Sequence, residues 1–82
     1  MIFVTGGTGL VGSHILMELV KKGKKFKALK RKTSSLEICK KVFKYYNISD
    51  KFNSIHWVEG DITDIVSLEK HIAACEYVIH AA

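Results

Sequence analysis

The chain predicts an α/β fold of parallel strands alternating with helices, and two observations predict it. Four short apolar runs are separated by segments in which apolar residues recur with helical spacing, giving the order β-α-β-α-β-α-β. Between the first run and the first helix lies a glycine-rich octet, Thr5-Gly6-Gly7-Thr8-Gly9-Leu10-Val11-Gly12. Strands that alternate with helices are joined by right-handed crossovers and buried on both faces, so the sheet is expected to be parallel.

Taken in order, Ile2–Val4 reads as a buried first strand. Leu10–Lys22 reads as a helix, with Val11, Ile15 and Leu19 forming an apolar stripe that Leu16 and Val20 broaden. Gly23 supplies its stop. Phe26–Lys30 is the second strand, and Lys32-Thr33-Ser34-Ser35 the polar turn after it. Ser34 or Ser35 can cap a second helix that contains Leu36, Ile38, Val42, Phe43 and Tyr46. An irregular connection is expected over Asn47–Asn53, a third strand over Ile55–Glu59, and a loop over Gly60–Asp64 with Asp64 as a helix cap. A short third helix follows over about Ile65–Ala73, and a fourth strand over Tyr77–His80.

Composition narrows the functional classes. With 82 residues, 48% hydrophobic and 26% charged, the chain is globular and at most one small domain. A chain of this size buries roughly 60–65% of its unfolded surface. No apolar run approaches the ~20 residues of a membrane span, and Met1-Ile2-Phe3-Val4 is too short for a signal peptide. Cys39 and Cys75 stand far apart without a paired-cysteine motif, which reads as two reduced thiols in a cytoplasmic protein. The histidines form no metal-ligand spacing, so no metal site is expected. The net charge of +5 is concentrated at Lys21, Lys22, Lys24, Lys25, Lys27, Lys30, Arg31 and Lys32. A nucleic-acid patch is the sharper reading of that stretch and a solvated helix end and strand face the plainer one. Without interleaved aromatic residues to stack bases, the plainer one is preferred.

The octet carries the chemistry. Gly7, Gly9 and Gly12 satisfy G-x-G-x-x-G, the dinucleotide fingerprint, while Gly6, Gly9 and Gly12 satisfy T-G-x-x-G-x-x-G with Thr5 in front. Glycines at a strand-to-helix turn let a backbone approach pyrophosphate closely, and the helix N-terminus offers free N–H groups and partial positive charge. A triphosphate-binding loop is excluded, because Ser13 stands where that motif requires lysine.

Further signals follow the other strands: Arg31 after the second, Asp61-Ile62-Thr63-Asp64 after the third, and Glu76-Tyr77-Val78-Ile79-His80-Ala81-Ala82 around the fourth. Together with the octet these segments resemble the extended short-chain dehydrogenase/reductase family, the epimerase/dehydratase and dihydroflavonol-reductase-like enzymes. The resemblance spans the whole chain and selects the Thr5-Gly6 register. It implies the first half of a Rossmann domain, with strand order 3-2-1-4, and no second domain. It further implies that Gly6, Thr8, Gly9, Leu10, Val11 and Gly12 cradle the cofactor pyrophosphate. Asp61 and Ile62 would then contact adenine, and Ala81 and Ala82 would line the adenosine ribose and the approach to nicotinamide.

Cofactor choice follows from charge. A site specific for NAD usually places an acid after the second strand, ~20 residues beyond the glycines. None stands around Lys30-Arg31-Lys32, where Arg31 is suited to bind a 2′-phosphate, with Lys32 as a weaker contact. This favours NADP over NAD. The family's catalytic Tyr-x-x-x-Lys has no match: Tyr45 is followed four residues later by Ser49, Tyr46 by Asp50 and Tyr77 by Ala81. The expectation is therefore the NAD(P)-binding portion of an oxidoreductase, a fragment whose small-molecule substrate belongs to a longer parent. A non-catalytic dinucleotide sensor is the alternative, and self-association through an open fourth strand is expected of either.

Overall fold

The computed structural model describes residues 1–61 and 63–81, apart from the side chains of residues 65 and 67. The chain runs β1 (Ile2–Thr5), α1 (Leu10–Lys21), β2 (Phe26–Lys30), α2 (Glu37–Tyr45), a 3₁₀ turn (Ser49–Ser54), β3 (His56–Glu59), α3 (Ile65–Ala73) and β4 (Tyr77–His80). The strands form one parallel sheet in the order β3-β2-β1-β4. The sheet order is the one expected from the sequence. It puts β1 at the centre, with Val4 paired to Ala28 on one side and to Ile79 on the other.

Alternation along the strands divides the core into two. Val4, Phe26 and Ala28 face α1 and α2, where they meet Leu16, Met17, Cys39, Val42 and Phe43. Phe3 and Leu29 face the other way and pack on Leu68 of α3, with Ile72 and Cys75 beside them. The 3₁₀ turn replaces the irregular connection expected before β3, and its Phe52 stands edge-on to Phe43 at 5.8 Å between ring centroids.

Two helix faces differ from the periodicity reading. In α1 the buried residues are Gly12, Ser13, Leu16 and Met17, whereas Val11 is 60% exposed. The sheet-facing side is set by Gly12 and Ser13, whose small side chains let the helix approach the loop beneath it. A stripe drawn through large apolar residues misses them. In α2 the buried residues are Cys39, Val42 and Phe43, while Leu36 is the N-cap position, and Ile38 and Tyr46 lie at the surface. Neither candidate serine is the N-cap, which falls on Leu36 without a side-chain cap; Ser35, one residue before it, accepts from the Glu37 N–H at 3.2 Å. At the other end Asn47 takes a left-handed φ of 59° and closes the helix, a conformation that asparagine tolerates better than most residues. Gly23, at φ 67°, ends α1 as expected.

The basic stretch does not form one surface. Lys24 and Lys25 border a hollow at the N-terminal ends of the strands, with Lys51 and His56, while Arg31 and Lys32 lie at the opposite end of the sheet.

Candidate functional site

The C-terminal ends of β1, β2, β3 and β4 converge on a cleft of about 300 Å³. Its walls are Thr5, Gly6 and Thr8 from the glycine loop, Leu29, Arg31 and Ser34 from the end of β2, and Gly60, His80 and Ala81 from the ends of β3 and β4.

The loop is built by close backbone contact. Gly6 has φ +75°, and a Cβ there would overlap the carbonyl oxygen of Ala81. A Cβ on Gly12 would overlap the carbonyl oxygen of Gly6. These two glycines are therefore demanded by the fold itself. Gly7 is constrained by a side chain rather than by backbone, since its Cβ would come within 2.9 Å of the buried Leu16 Cδ1. Gly9 differs from all of these: a Cβ would meet nothing closer than the Gly6 oxygen at 3.7 Å, an ordinary contact. The Gly9 N–H donates to the Gly6 carbonyl at 3.2 Å, and the Ser13 hydroxyl donates to the Gly7 carbonyl at 3.1 Å, which fixes the turn from both ends.

The N-terminus of α1 faces outward from this turn. Gly9 is its N-cap and brings no side-chain cap, and no acid lies in the first turn. The Ser13 N–H donates to the Gly9 carbonyl at 2.8 Å, so the N–H groups of Leu10, Val11 and Gly12 stand ahead of the first α-helical bond. Such a terminus carries roughly half a positive charge and favours an anion.

On the far side of the cleft, β1 and β4 are stitched together. The Ala81 N–H donates to the Thr5 carbonyl at 2.9 Å, and Thr5 Oγ1 lies 2.6 Å from His80 Nδ1. Thr5 is buried and its hydroxyl must donate somewhere. Among the described residues, His80 Nδ1 is the side-chain nitrogen that the hydroxyl meets.

At the end of β2, Arg31 is 65% exposed and its Nη2 stands 3.9 Å from Asp61 Oδ1. The Asp61 carboxylate accepts from the Thr63 N–H at 3.0 Å and from the Thr63 hydroxyl at 2.9 Å. Those bonds, first the backbone one and then the hydroxyl, hold its carboxyl below the usual carboxylate range, with a smaller contribution from the Arg31 charge. Arg31, Lys32 and Asp61 also border a shallow hollow outside the cleft.

Of the residues singled out in the sequence, Gly6, Thr8, Arg31 and Ala81 line the cleft, and Gly9, Leu10, Val11 and Gly12 form the helix terminus beside it. Asp61 reaches the cleft only through Arg31. Ile62 and Ala82 lie outside the described residues. Thr5, Leu29, Ser34, Gly60 and His80 complete the walls without having been expected as cofactor contacts. Ser34 had one legible signal, a hydroxyl three residues after the key arginine. His80 had another, its place directly before the paired alanines.

The comparisons agree with this geometry. The model of the NAD dependent epimerase/dehydratase family matches residues 2–82. A sterol-4-alpha-carboxylate 3-dehydrogenase, decarboxylating, of Dictyostelium discoideum is 33% identical over 81 residues, covering 99% of this chain and 21% of that enzyme. The structure of the UDP-glucose 4-epimerase of Thermotoga maritima with UDP-glucose superposes with a TM-score of 0.72 at 25% identity, over 99% of this chain and 23% of the epimerase. The enzyme WbmH of Bordetella bronchiseptica in complex with NAD+ gives a TM-score of 0.71 at 27% identity, over 99% of this chain and 25% of that one. The chain thus spans about a fifth to a quarter of the length of these relatives.

Proposed function

The chain belongs to the NAD dependent epimerase/dehydratase family, and from that membership we propose that residues 1–82 are the N-terminal, cofactor-binding part of a single Rossmann domain. The observation that carries this reading is Gly9. The fold has room for a side chain there, whereas Gly6 and Gly12 have none. A glycine that packing does not require, at an uncapped helix N-terminus, leaves space for a pyrophosphate to reach the N–H groups of Leu10, Val11 and Gly12. Gly6, Thr8 and Ala81 would shape the cleft around the adenosine half, and Asp61 with Ile62 would border the adenine, with Ala82 on the approach to the nicotinamide.

The nicotinamide ring, when bound, supplies the hydride. This chain binds and orients the dinucleotide, and the parent protein would act on a nucleotide sugar or another alcohol or carbonyl substrate. The relative in complex with NAD+ supports a nicotinamide dinucleotide in general. The finer choice of NADP rests on Arg31, exposed at the end of β2 and facing the cleft. A phosphate with two negative charges would displace the 3.9 Å contact with Asp61 and take the guanidinium fork.

A second reading is a dinucleotide sensor without catalysis. In either case β4 pairs with β1 alone among the described residues, and its open edge with the exposed Tyr77 and Val78 would support self-association. Isothermal titration of NADH and NADPH into the purified chain tests the binding reading. Micromolar-to-millimolar affinity for at least one, abolished by Gly9→Val, is expected. No binding of either by a folded chain would overturn it.

A further inference from the structure

We propose that the outer face of α2, with the start of α1 beside it, binds single-stranded nucleic acid. Three rings meet there. Tyr46 stands edge-on to His14 at 5.7 Å between ring centroids, and edge-on to Tyr45 at 5.0 Å. With Leu10, Lys41 and Val42 they line a hollow of about 390 Å³. The imidazole and the helix end are both held: the Leu10 carbonyl accepts from His14 Nδ1 at 2.9 Å, and the Tyr46 N–H donates to the Val42 carbonyl at 3.2 Å. Core packing does not account for the tyrosines. The buried residues of α2 are Cys39, Val42 and Phe43, and Tyr45 is 79% exposed.

The charge beside the rings selects the ligand. Lys41 lies one turn before Lys44 and Tyr45, and Lys40 one turn before Lys44, so the four share a face of the helix. All three lysines are exposed. The ion pairs among the described residues engage the Met1 amine, Lys22, Lys30 and Arg31, so no carboxylate offsets the charge on α2. A ligand for this face must offer flat π surfaces and regularly spaced negative charge together. Unpaired nucleotides do, since every base has a face for a tyrosine and every link a phosphate for a lysine. A duplex hides its base faces, and an acidic peptide has none to stack. The stretch from Lys21 to Lys32 lacks such rings, whereas here cations and aromatics share one helix. The inference goes beyond dinucleotide binding and does not depend on it, because neither Tyr45 nor Lys41 lines the cleft at the strand ends.

The test is fluorescence anisotropy with labelled oligothymidylate and oligouridylate of about twelve nucleotides, a usual site length. Unlabelled single strand, a duplex of the same length and polyglutamate serve as competitors. Both labelled strands are expected to bind, and to be displaced by single strand at concentrations where duplex and polyglutamate are weaker. Affinity should fall roughly twentyfold between about 50 and 200 mM salt, the slope of three phosphate contacts on a single strand. Tyr45→Ala is expected to weaken binding by at least about fivefold, the worth of one stacked base, and Tyr45→Phe to keep it. Lys41→Ala and Lys44→Ala should each flatten the logarithmic salt slope by about 0.7, while Lys24→Ala, outside the hollow, leaves it unchanged. The substituted side chains are exposed or rim the hollow, so the variants are expected to melt with the wild type. No binding of either strand at low salt would overturn the proposal. So would a Tyr45→Ala chain that binds as tightly as wild type, a Lys24→Ala slope lowered as far as that of Lys41→Ala, or duplex or polyglutamate competing as well as single strand. Each of these would reduce the face to plain charge.

Discussion

Thr5 Oγ1 and His80 Nδ1 meet at 2.6 Å across the seam between β1 and β4, between residues 75 positions apart in the chain. The pair stands at the last register position of β1 and β4, one residue before Gly6 packs on the Ala81 carbonyl. Thr5 is buried, so loss of its partner strands a hydroxyl. His80→Ala is expected to destabilise the chain by roughly 1–3 kcal/mol, the cost of an unsatisfied buried polar group. Thr5→Val removes the hydroxyl at nearly constant shape and should cost less, about 1 kcal/mol. In the double variant, urea denaturation should show the His80→Ala penalty largely relieved. Additive losses would mean that the two side chains act independently.

Asp61 predicts a dependence on acid. Its folded carboxyl lies below the usual range because Thr63 donates twice to the ionised form. A depressed pKa contributes stability that is present above the ordinary aspartate value of about 4 and lost as pH falls through the folded one. Melting temperatures measured from pH 6 down to pH 2.5 should therefore fall more steeply for wild type than for Asp61→Asn, the wild type melting higher near pH 6 and the two curves converging below about pH 4. Parallel curves would show that the Thr63 bonds contribute nothing to stability.

The two thiols should differ in reactivity. Cys39 is fully buried between α1 and α2, and that burial pushes its thiol up, opposed only in part by the Ser13 hydroxyl. Cys75 is partly exposed, and its Sγ donates to the His71 carbonyl at 3.2 Å. Iodoacetamide at pH 8 should label Cys75 first, with Cys39 reacting only at the rate of global or local opening. Mass spectrometry of the labelled peptides checks this. Equal labelling rates would mean that α2 opens readily from the sheet.

The parallel sheet and the placement of the glycine loop were legible because both follow from patterns that survive in one dimension, whereas the strand order came only with the family resemblance. Alternating apolar runs set the parallel sheet, and the spacing of Gly6, Gly9 and Gly12 set the turn. The sheet-facing side of α1 was not legible, because it is defined by Gly12 and Ser13, which carry almost no hydropathic signal. Thr5, Ser34 and His80 were not expected to line the cleft, for a related reason. Each lines the cleft because of a partner that only the folded chain brings near, across the β1–β4 seam or around the turn after β2. The contact between Arg31 and Asp61 is of the same kind, joining the ends of β2 and β3. Motif spacing finds residues that touch a ligand through backbone. It is silent about side chains that are positioned by one another.

The three glycines of the fingerprint should separate into two classes when each is replaced by alanine. At Gly6 the left-handed backbone alone costs an alanine roughly 1–2 kcal/mol, and overlap with the Ala81 carbonyl adds to it. Gly12→Ala drives a methyl into the Gly6 carbonyl. Both variants are expected to lose about 3 kcal/mol or more, a large part of the stability of so small a domain. Gly9 lies at φ −83° and ψ 177°, which alanine adopts without strain, and nothing in the chain obstructs a methyl there. Gly9→Ala should therefore leave stability unchanged or raise it by about 0.4–1 kcal/mol, since the unfolded chain has less freedom to lose. The same methyl occupies the space in front of the α1 N-terminus, so dinucleotide affinity should fall by about tenfold or more. Stability and binding thus move in opposite directions at Gly9 and together at Gly6 and Gly12. Thermal melts paired with NADH titration read both quantities on one sample. A Gly9→Ala chain that melts as high as wild type and binds NADH as tightly would remove the case for pyrophosphate at this turn.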